Sequence, residues 1–244
     1  MKLYGLIGHP LDHSFSEQYF SEKFYKEGIE AEYHNFDLEY LTKLTEVLKK
    51  TNLGGLNVTI PYKEEVMTYL DSIDELALEV GSVNTIKFTD TGSVGYNTDV
   101  IGFEQSLSSF LKDAKPNALI FGTGGSSKAV RYVLSKLGLD YQLVSRTKTK
   151  ETITYEEVDK ELLKKHYLLI NASPVGMFPN INEAVNIPYD CIGEHHFCFD
   201  LIYNPNRTKF LREASQRGAE VKNGNEMLIR QAEASWQIWN SLSE

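Results

Sequence analysis

The sequence predicts an α/β protein of two α/β units, the second carrying a Rossmann-like dinucleotide-binding pattern, and three observations predict it. Short apolar, β-branched runs alternate with segments of helical period along the chain, the pattern of mostly parallel sheets. A glycine-rich loop at Gly122–Gly125 stands between an apolar run and a helical pattern, the context in which such a loop cradles a dinucleotide. The 244 residues are enough for two modest domains, each with its own core.

The first unit opens on an apolar strand at 2–8 and a helix at 14–27. Ser14 and Ser16 stand at that helix start, where two hydroxyls beside free N–H groups form a carboxylate cradle or, more plainly, a helix cap. Strands follow at 31–36, 54–59 and 83–89, and helices at 38–50, 62–69 and 74–80. In the third strand Asn57 and Thr59 share one face, while Val58 and Ile60 point the other way into a core, which leaves the polar face for a ligand. Pro61 reads as a first helical residue, so Lys63 falls in a first turn, where the macrodipole opposes a cation. A lysine drawn toward neutrality can act as a general acid/base, and Asp99 is a carboxylate that could answer it. A solvated surface lysine would present the same letters. Asn84 and Asn97 read equally as local caps or turn formers.

The second unit begins with a helix from about Asp99 to Lys112, then a strand at 117–121, the glycine loop, a helix to about Leu137 and a strand at 141–144. Gly122, Gly124 and Gly125, followed by Ser126, permit a tight turn and close approach of backbone to a pyrophosphate, whose charge a helix N-terminus stabilises. Ser127 stands where a third glycine or alanine is expected. At the end of the next strand, where an NAD site places an acidic residue, the chain reads Ser145-Arg146-Thr147-Lys148, which suits a 2′-phosphate and favours NADP. Strands at 167–171 and 197–202 and a helix at 207–216 complete the unit. The last helix, at 225–241, carries Met227, Leu228, Ala232, Ser235, Ile238, Trp239 and Leu242 on one apolar stripe, with Gln231 among them. The predicted domains are 1–98 plus 225–244, and 99–224.

A net charge of −9 argues against a nucleic-acid partner. No apolar stretch reaches the length of a membrane span, and the run Met1–Gly8 is too short for a signal peptide, so a cytoplasmic protein is expected. The two cysteines, Cys191 and Cys198, fit reduced thiols. With His195 and His196 between them a zinc site is conceivable, but Phe197–Ile202 reads as a buried strand and no metal is expected.

Eight segments appear in a fixed order: GHPLDHSFS at 8–16, GLNVTIPYK at 55–63, GSVNT at 81–85, GYNTD at 95–99, GTGG at 122–125, NASPVGM at 171–177, DLIYNP at 200–205 and GNEMLIRQ at 224–231. On these the chain resembles the shikimate dehydrogenases over almost its whole length. The resemblance implies reversible, NADPH-dependent reduction of 3-dehydroshikimate to shikimate, a step toward chorismate and the aromatic amino acids, in a cleft between two domains. It casts Lys63, oriented by Asp99, as proton donor, and Ser14, Ser16 and Tyr203 as holders of the substrate carboxylate. Asn57, Thr59, Asn84, Asp99 and Gln231 would read the ring hydroxyls. Asn171, Ala172 and Ser173 would line the cofactor pocket and Gly224 and Met227 border the nicotinamide, while Ser145-Arg146-Thr147 resembles the Asn-Arg-Thr of NADP-dependent members. The last helix would return to the first domain, in a monomer or homodimer.

Two departures stand out. Glu17–Phe20 replaces the usual proline and Met-His-Asn turn, and the segment from Arg146 to Asn171 is too short for the family's full helix–strand–helix crossover, so the helix after the basic turn is expected to be lost or reduced to 155–163. The rival readings are an NAD-dependent quinate/shikimate dehydrogenase, disfavoured by Arg146, and a non-catalytic shikimate- or quinate-sensing regulator, disfavoured by the intact Lys63 and Asp99 and by the lack of an appended DNA-binding segment.

Overall fold

A computed structural model describes residues 1–11 and 14–241. Asp12 and His13 of the serine-rich segment and Leu242 of the apolar stripe lie outside the described residues. The chain divides into Met1–Thr98 with Ala232–Glu244, and Asp99–Gln231.

The first unit contains β1 (Lys2–Gly8), α1 (Phe15–Glu27), β2 (Ala31–Asp37), α2 (Leu44–Leu48), β3 (Leu53–Val58), β4 (Ser72–Ile73), α3 (Glu75–Val80), β5 (Thr85–Thr89) and β6 (Gly92–Tyr96). They form one sheet in the order β2-β1-β3-β5-β6-β4. β1 pairs parallel with β2 and β3, but β5 pairs antiparallel with both β3 and β6, so this sheet is mixed. β1 shows why the sheet is covered on both faces. Tyr4 and Leu6 enter an aromatic-rich cluster with Phe20, Phe24, Tyr33, Ala232 and Trp239, while Ile7 turns to a second cluster with Leu44, Leu56, Val66 and Ile86.

Two predicted helices are shorter than expected. The 38–50 segment forms a 3-10 turn at Leu41–Lys43 running into α2, and the 62–69 segment is a turn followed by a 3-10 helix at Glu65–Tyr69. Lys63 therefore lies in a turn, and the macrodipole argument for it lapses.

The second unit contains α4 (Asp99–Leu111), β7 (Ala118–Phe121), α5 (Gly125–Lys136), β8 (Tyr141–Ser145), β9 (Thr152–Thr154), α6 (Lys160–Leu163), β10 (Leu168–Asn171), β11 (Phe197–Asp200), α7 (Lys209–Gln216), β12 (Glu220–Lys222) and the first turns of α8 (Asn225–Asn240). Its sheet runs β12-β11-β10-β7-β8-β9 with every pair parallel. Numbered along the unit from β7, that is the 3-2-1-4-5-6 order of the Rossmann fold, with its switch point between β7 and β10. The short segment after Arg146 keeps its strand, β9, and loses the helix before it. A loop braced by hydroxyls replaces that helix: Thr149 N–H donates to Thr152 Oγ1 at 2.9 Å, and Thr152 Oγ1 donates to the Thr147 carbonyl at 2.9 Å. The predicted 155–163 helix is a 3-10 turn and the single turn α6.

α8 belongs to both units, changing over between Gln231 and Ala232 rather than at 225. The reason is packing on α4, since a Cβ on Gly102 would lie 2.5 Å from the Met227 carbonyl, and Arg230 donates to Gln105 Oε1 at 2.9 Å. In the first unit, Trp239 Nε1 donates to the Ile86 carbonyl at 2.9 Å, and the buried Lys87 ammonium donates to the Ser241 carbonyl at 3.0 Å, where a helix C-terminus favours a cation. Among the described residues no helix is long and apolar enough to cross a membrane.

Candidate active site

Ser14 occupies the N-cap position of α1 in an extended conformation, yet its side chain makes no capping bond. Its Oγ is shielded from solvent and has no hydrogen-bond partner among the described residues. A buried hydroxyl at a helix N-terminus without a partner is what a bound carboxylate would complete. Ser16 is buried in the first turn, with its hydroxyl against that of Tyr33. The chain leading to the serines is moored to the end of β2, where Asp37 Oδ1 lies 2.5 Å from His9 Nδ1 and Oδ2 accepts the Leu11 N–H at 3.0 Å. The His9 ring holds the Asp37 carboxyl below its usual range. Despite the substituted Glu17–Phe20, α1 is regular, and Glu17 accepts from Asn35 Nδ2 at 2.7 Å.

The polar face expected of β3 is not open. Asn57 is 4 % exposed. Its Oδ1 accepts from the Tyr33 hydroxyl at 2.9 Å, and its Nδ2 donates to Ser235 Oγ at 2.9 Å, with the Asn84 carbonyl and Thr85 Oγ1 both at 3.3 Å. Asn57 is thus held by interior partners, as Asn84 is. The strand ends at Val58, so alternation stops there: Thr59 is half-buried and Ile60, expected in the core, is 56 % exposed. Asn84 is buried and faces Thr98, whose N–H donates to Asn84 Oδ1 at 2.7 Å. Asn97 Nδ2 donates to the Ser82 carbonyl at 2.8 Å and so holds the turn before Asp99, the buried first residue of α4. Lys63 is half-buried, and its carbonyl accepts the Val83 N–H at 2.7 Å.

In the second unit Gly122 leaves β7 with φ of +110°, and a Cβ there would lie 3.0 Å from the Ala172 carbonyl, so glycine is required. Ala172 and Ser173 follow β10 and thus meet the glycine loop at the switch point, the ligand-binding end of such sheets. Gly124 opens α5 with free space where a side chain would project, followed by Gly125 and Ser126 in the first turn. At the end of β8, Ser145 Oγ accepts the Thr147 N–H at 3.4 Å. Lys148 is taken by Glu157 and Arg131 by Glu151, leaving Arg146 exposed and without a carboxylate partner among the described residues. The glycine cradle, the helix N-terminus and this unpaired guanidinium fit a dinucleotide with a 2′-phosphate.

Asn171, wholly buried, is a brace. Its Oδ1 accepts from the Ser173 hydroxyl at 2.6 Å, and its Nδ2 donates to Asp200 Oδ1 at 3.1 Å. Tyr203 is half-buried in the loop after β11. Gly224 packs so closely that a Cβ would fall 2.0 Å from the Leu201 carbonyl, and its own carbonyl accepts the Leu228 N–H at the start of α8. Met227 and Gln231 are buried on that helix, with Gln231 Nε2 donating to the Leu228 carbonyl at 2.8 Å.

Residues 6–86 match the family model described as the shikimate dehydrogenase substrate binding domain. Over the full chain, the shikimate dehydrogenase (NADP(+)) of Methanococcus maripaludis strain C7 is 39 % identical across 260 residues, covering 99 % of this chain and 92 % of its own. The chain belongs to the shikimate dehydrogenase family. Solved structures agree. The shikimate dehydrogenase of Aquifex aeolicus superposes with a TM-score of 0.89 at 35 % identity, covering 100 % of this chain and 94 % of its own. The enzyme of Thermus thermophilus, solved with NADP(H) and shikimate, gives 0.88 at 30 % identity, covering 99 % and 94 %.

Within this shikimate dehydrogenase fold, several residues around the site escaped sequence reasoning. Tyr33, Thr85, Thr98 and Ser235 surround Asn57 and Asn84, and Asp200 and Thr208 support Asn171. Ser235 left a trace as a hydroxyl on an apolar helical stripe, and Thr85, Thr98 and Asp200 lie inside the ordered segments without having been singled out. His196 and Cys198 also have structural roles. The His196 ring bridges the Gly193 N–H and the Leu163 carbonyl, and Cys198 lies in the core, where burial pushes its thiol up.

Proposed function

We propose that this chain is an NADP-dependent shikimate dehydrogenase, reducing 3-dehydroshikimate to shikimate reversibly in the route to chorismate. The observation that carries this reading is the match of relatives bearing that name across both units, so that the substrate half and the cofactor half are matched together. The first unit supplies most of the substrate groups, and Tyr203 and Gln231 come from the second. Ser14, with its shielded hydroxyl at the start of α1 unpartnered among the described residues, receives the carboxylate with Ser16 and Tyr203. Thr59, Asn84 and Gln231 read the hydroxyls, and Asn57 acts from behind them.

The second unit supplies cofactor groups: Gly122, Gly124, Gly125 and Ser126 for the pyrophosphate, Arg146 with Ser145 and Thr147 for the 2′-phosphate, and Ala172, Ser173, Gly224 and Met227 for the nicotinamide side. Asn171 acts through Ser173. NADPH, when bound, supplies the hydride. Lys63 Nζ gives a proton to the ketone oxygen as that oxygen gains charge, and Asp99 is the carboxylate that shares that proton and orients the ammonium. We place the protein in the cytosol, as a monomer or homodimer, with no nucleic-acid partner. The test is NADPH oxidation by 3-dehydroshikimate, beside NADH and dehydroquinate controls. Turnover with NADPH and 3-dehydroshikimate well above both controls is expected, and preference for NADH would overturn the cofactor assignment.

A further inference from the structure

A buried hydroxyl on α8 joins the side chains to which substrate contacts have just been assigned. Ser235 is 0 % exposed. Its Oγ accepts from Asn57 Nδ2 at 2.9 Å and lies 2.7 Å from Thr85 Oγ1 and 3.2 Å from Thr98 Oγ1. Beyond Asn57 the network continues to the Tyr33 hydroxyl, against which Ser16 lies. Beyond Thr98 it reaches Asn84, whose Nδ2 donates to Thr98 Oγ1 at 2.9 Å. One connected set of buried hydrogen bonds therefore runs from Tyr33, beside the serine cradle, to the amide proposed to read a ring hydroxyl.

The direction of the hydrogens can be followed. The Thr98 backbone N–H can only donate, so the Asn84 atom it meets at 2.7 Å is the oxygen, and the amide orientation is fixed. Asn84 Nδ2 then donates to Thr98 Oγ1, and the Thr85 hydroxyl, 3.2 Å away, can donate to Asn84 Oδ1. Ser235 Oγ accepts from Asn57, and in its contacts with the Thr85 and Thr98 hydroxyls either oxygen can be the donor. Buried polar networks satisfied in this way restrict rotamers more than they stabilise, because apolar side chains of the same shape would fill the space as well.

Resting on the function proposed above, we infer that Ser235 is a positioning residue for the substrate half of the site, bracing Asn57 directly and Asn84 through Thr98 from the C-terminal helix. Replacing its hydroxyl removes an acceptor from Asn57 and a partner shared by the Thr85 and Thr98 hydroxyls, so the side chains flanking Asn84 lose a common brace. No volume larger than the hydroxyl is lost, so the fold should persist.

The experiment compares wild type with Ser235→Ala and Ser235→Thr. In Ser235→Ala the KM for shikimate should rise about three- to tenfold with the KM for NADP unchanged, the span expected for one hydrogen bond. Exchange of the Thr98 amide hydrogen should quicken about tenfold relative to amides of β3. Ser235→Thr, which returns the hydroxyl, should recover both. A lowered melting temperature in Ser235→Ala with unaltered shikimate KM would overturn the proposal, because a merely structural hydroxyl behaves that way. The exchange measurement needs no substrate. A wild-type protein inactive on 3-dehydroshikimate would therefore sink the functional reading alone, and unchanged Thr98 protection in Ser235→Ala would sink the positioning role.

Discussion

The Ser127 hydroxyl donates to the Gly122 carbonyl at 2.8 Å, so the residue standing where a third glycine or alanine is usual closes the phosphate loop on itself. Ser127 is wholly buried, and its own N–H donates to the Gly124 carbonyl at 2.9 Å, so both ends of the loop are tied to one residue. Ser127→Ala should keep the fold and loosen the loop. A neutral hydrogen bond contributes about 0.5–1.5 kcal/mol, so the KM for NADPH should rise roughly two- to tenfold while that for 3-dehydroshikimate stays put. Steady-state kinetics with each substrate varied in turn decides this, and equal changes in both constants would show that the brace serves the fold at large.

Arg146 should set the choice between NADPH and NADH. Its neighbours Lys148 and Arg131 already hold carboxylates, while Arg146, directly after β8, has no carboxylate partner among the described residues. A charge-assisted contact contributes about 1.5–3 kcal/mol, so Arg146→Ala should weaken NADPH roughly ten- to a hundredfold and NADH little. Titrating both cofactors into wild type and variant provides the comparison. Equal losses would place the guanidinium elsewhere.

These two residues also show what kind of information the chain carries openly. The β7–loop–α5–β8 unit could be read because each part is local: an apolar run, glycines before a helix, and a basic turn in place of an acidic residue. The mixed sheet of the first unit could not. Glycines 92 and 95 and Ser93 dilute the strand signal of β6, although Asp90-Thr91-Gly92 was a usable turn signal. Pro61 is compatible with a helix start and with a turn, and the turn won. The partners of Asn57 were hidden for a deeper reason. A polar residue on a strand announces that something polar faces it, but not whether that is a ligand or a hydroxyl 178 positions away on Ser235.

Removal of the Lys63 ammonium should separate chemistry from binding. Lys63→Ala takes away the proposed proton donor but leaves Ser14, Asn84 and the cofactor loop intact. Loss of general acid/base catalysis costs roughly 10²–10⁴ in rate, so kcat should fall by that amount while shikimate affinity stays within about tenfold. Rapid-mixing kinetics and calorimetric titration of shikimate measure the two separately. Near-normal kcat would remove Lys63 from the mechanism.

Asp200 should make stability depend on pH in the sense opposite to an ordinary ion-paired carboxylate. It is wholly buried at the end of β11, and burial pushes its carboxyl from the ordinary 3.8 up to about 6, against hydrogen bonds from Thr208 at 2.6 Å, the Ile202 N–H at 3.0 Å and Asn171 at 3.1 Å, which favour the ionised form. Between these two values the folded protein binds more protons than the unfolded chain, so this group's contribution falls as pH rises, and above about pH 6 the full penalty is present. The interval corresponds to roughly 2–3 kcal/mol. Asp200→Asn accepts from Asn171 and Ile202 through its oxygen and can donate to Thr208, so it keeps the contacts and lacks the titration. Relative to wild type, the variant should therefore gain stability as pH is raised from about 4 to about 7, by about 4–12 °C in melting temperature for a chain of this size. Thermal unfolding of both proteins across that range is the measurement. A melting-temperature gap that stays constant with pH would mean that Asp200 is ionised throughout, held by its three donors in spite of its burial.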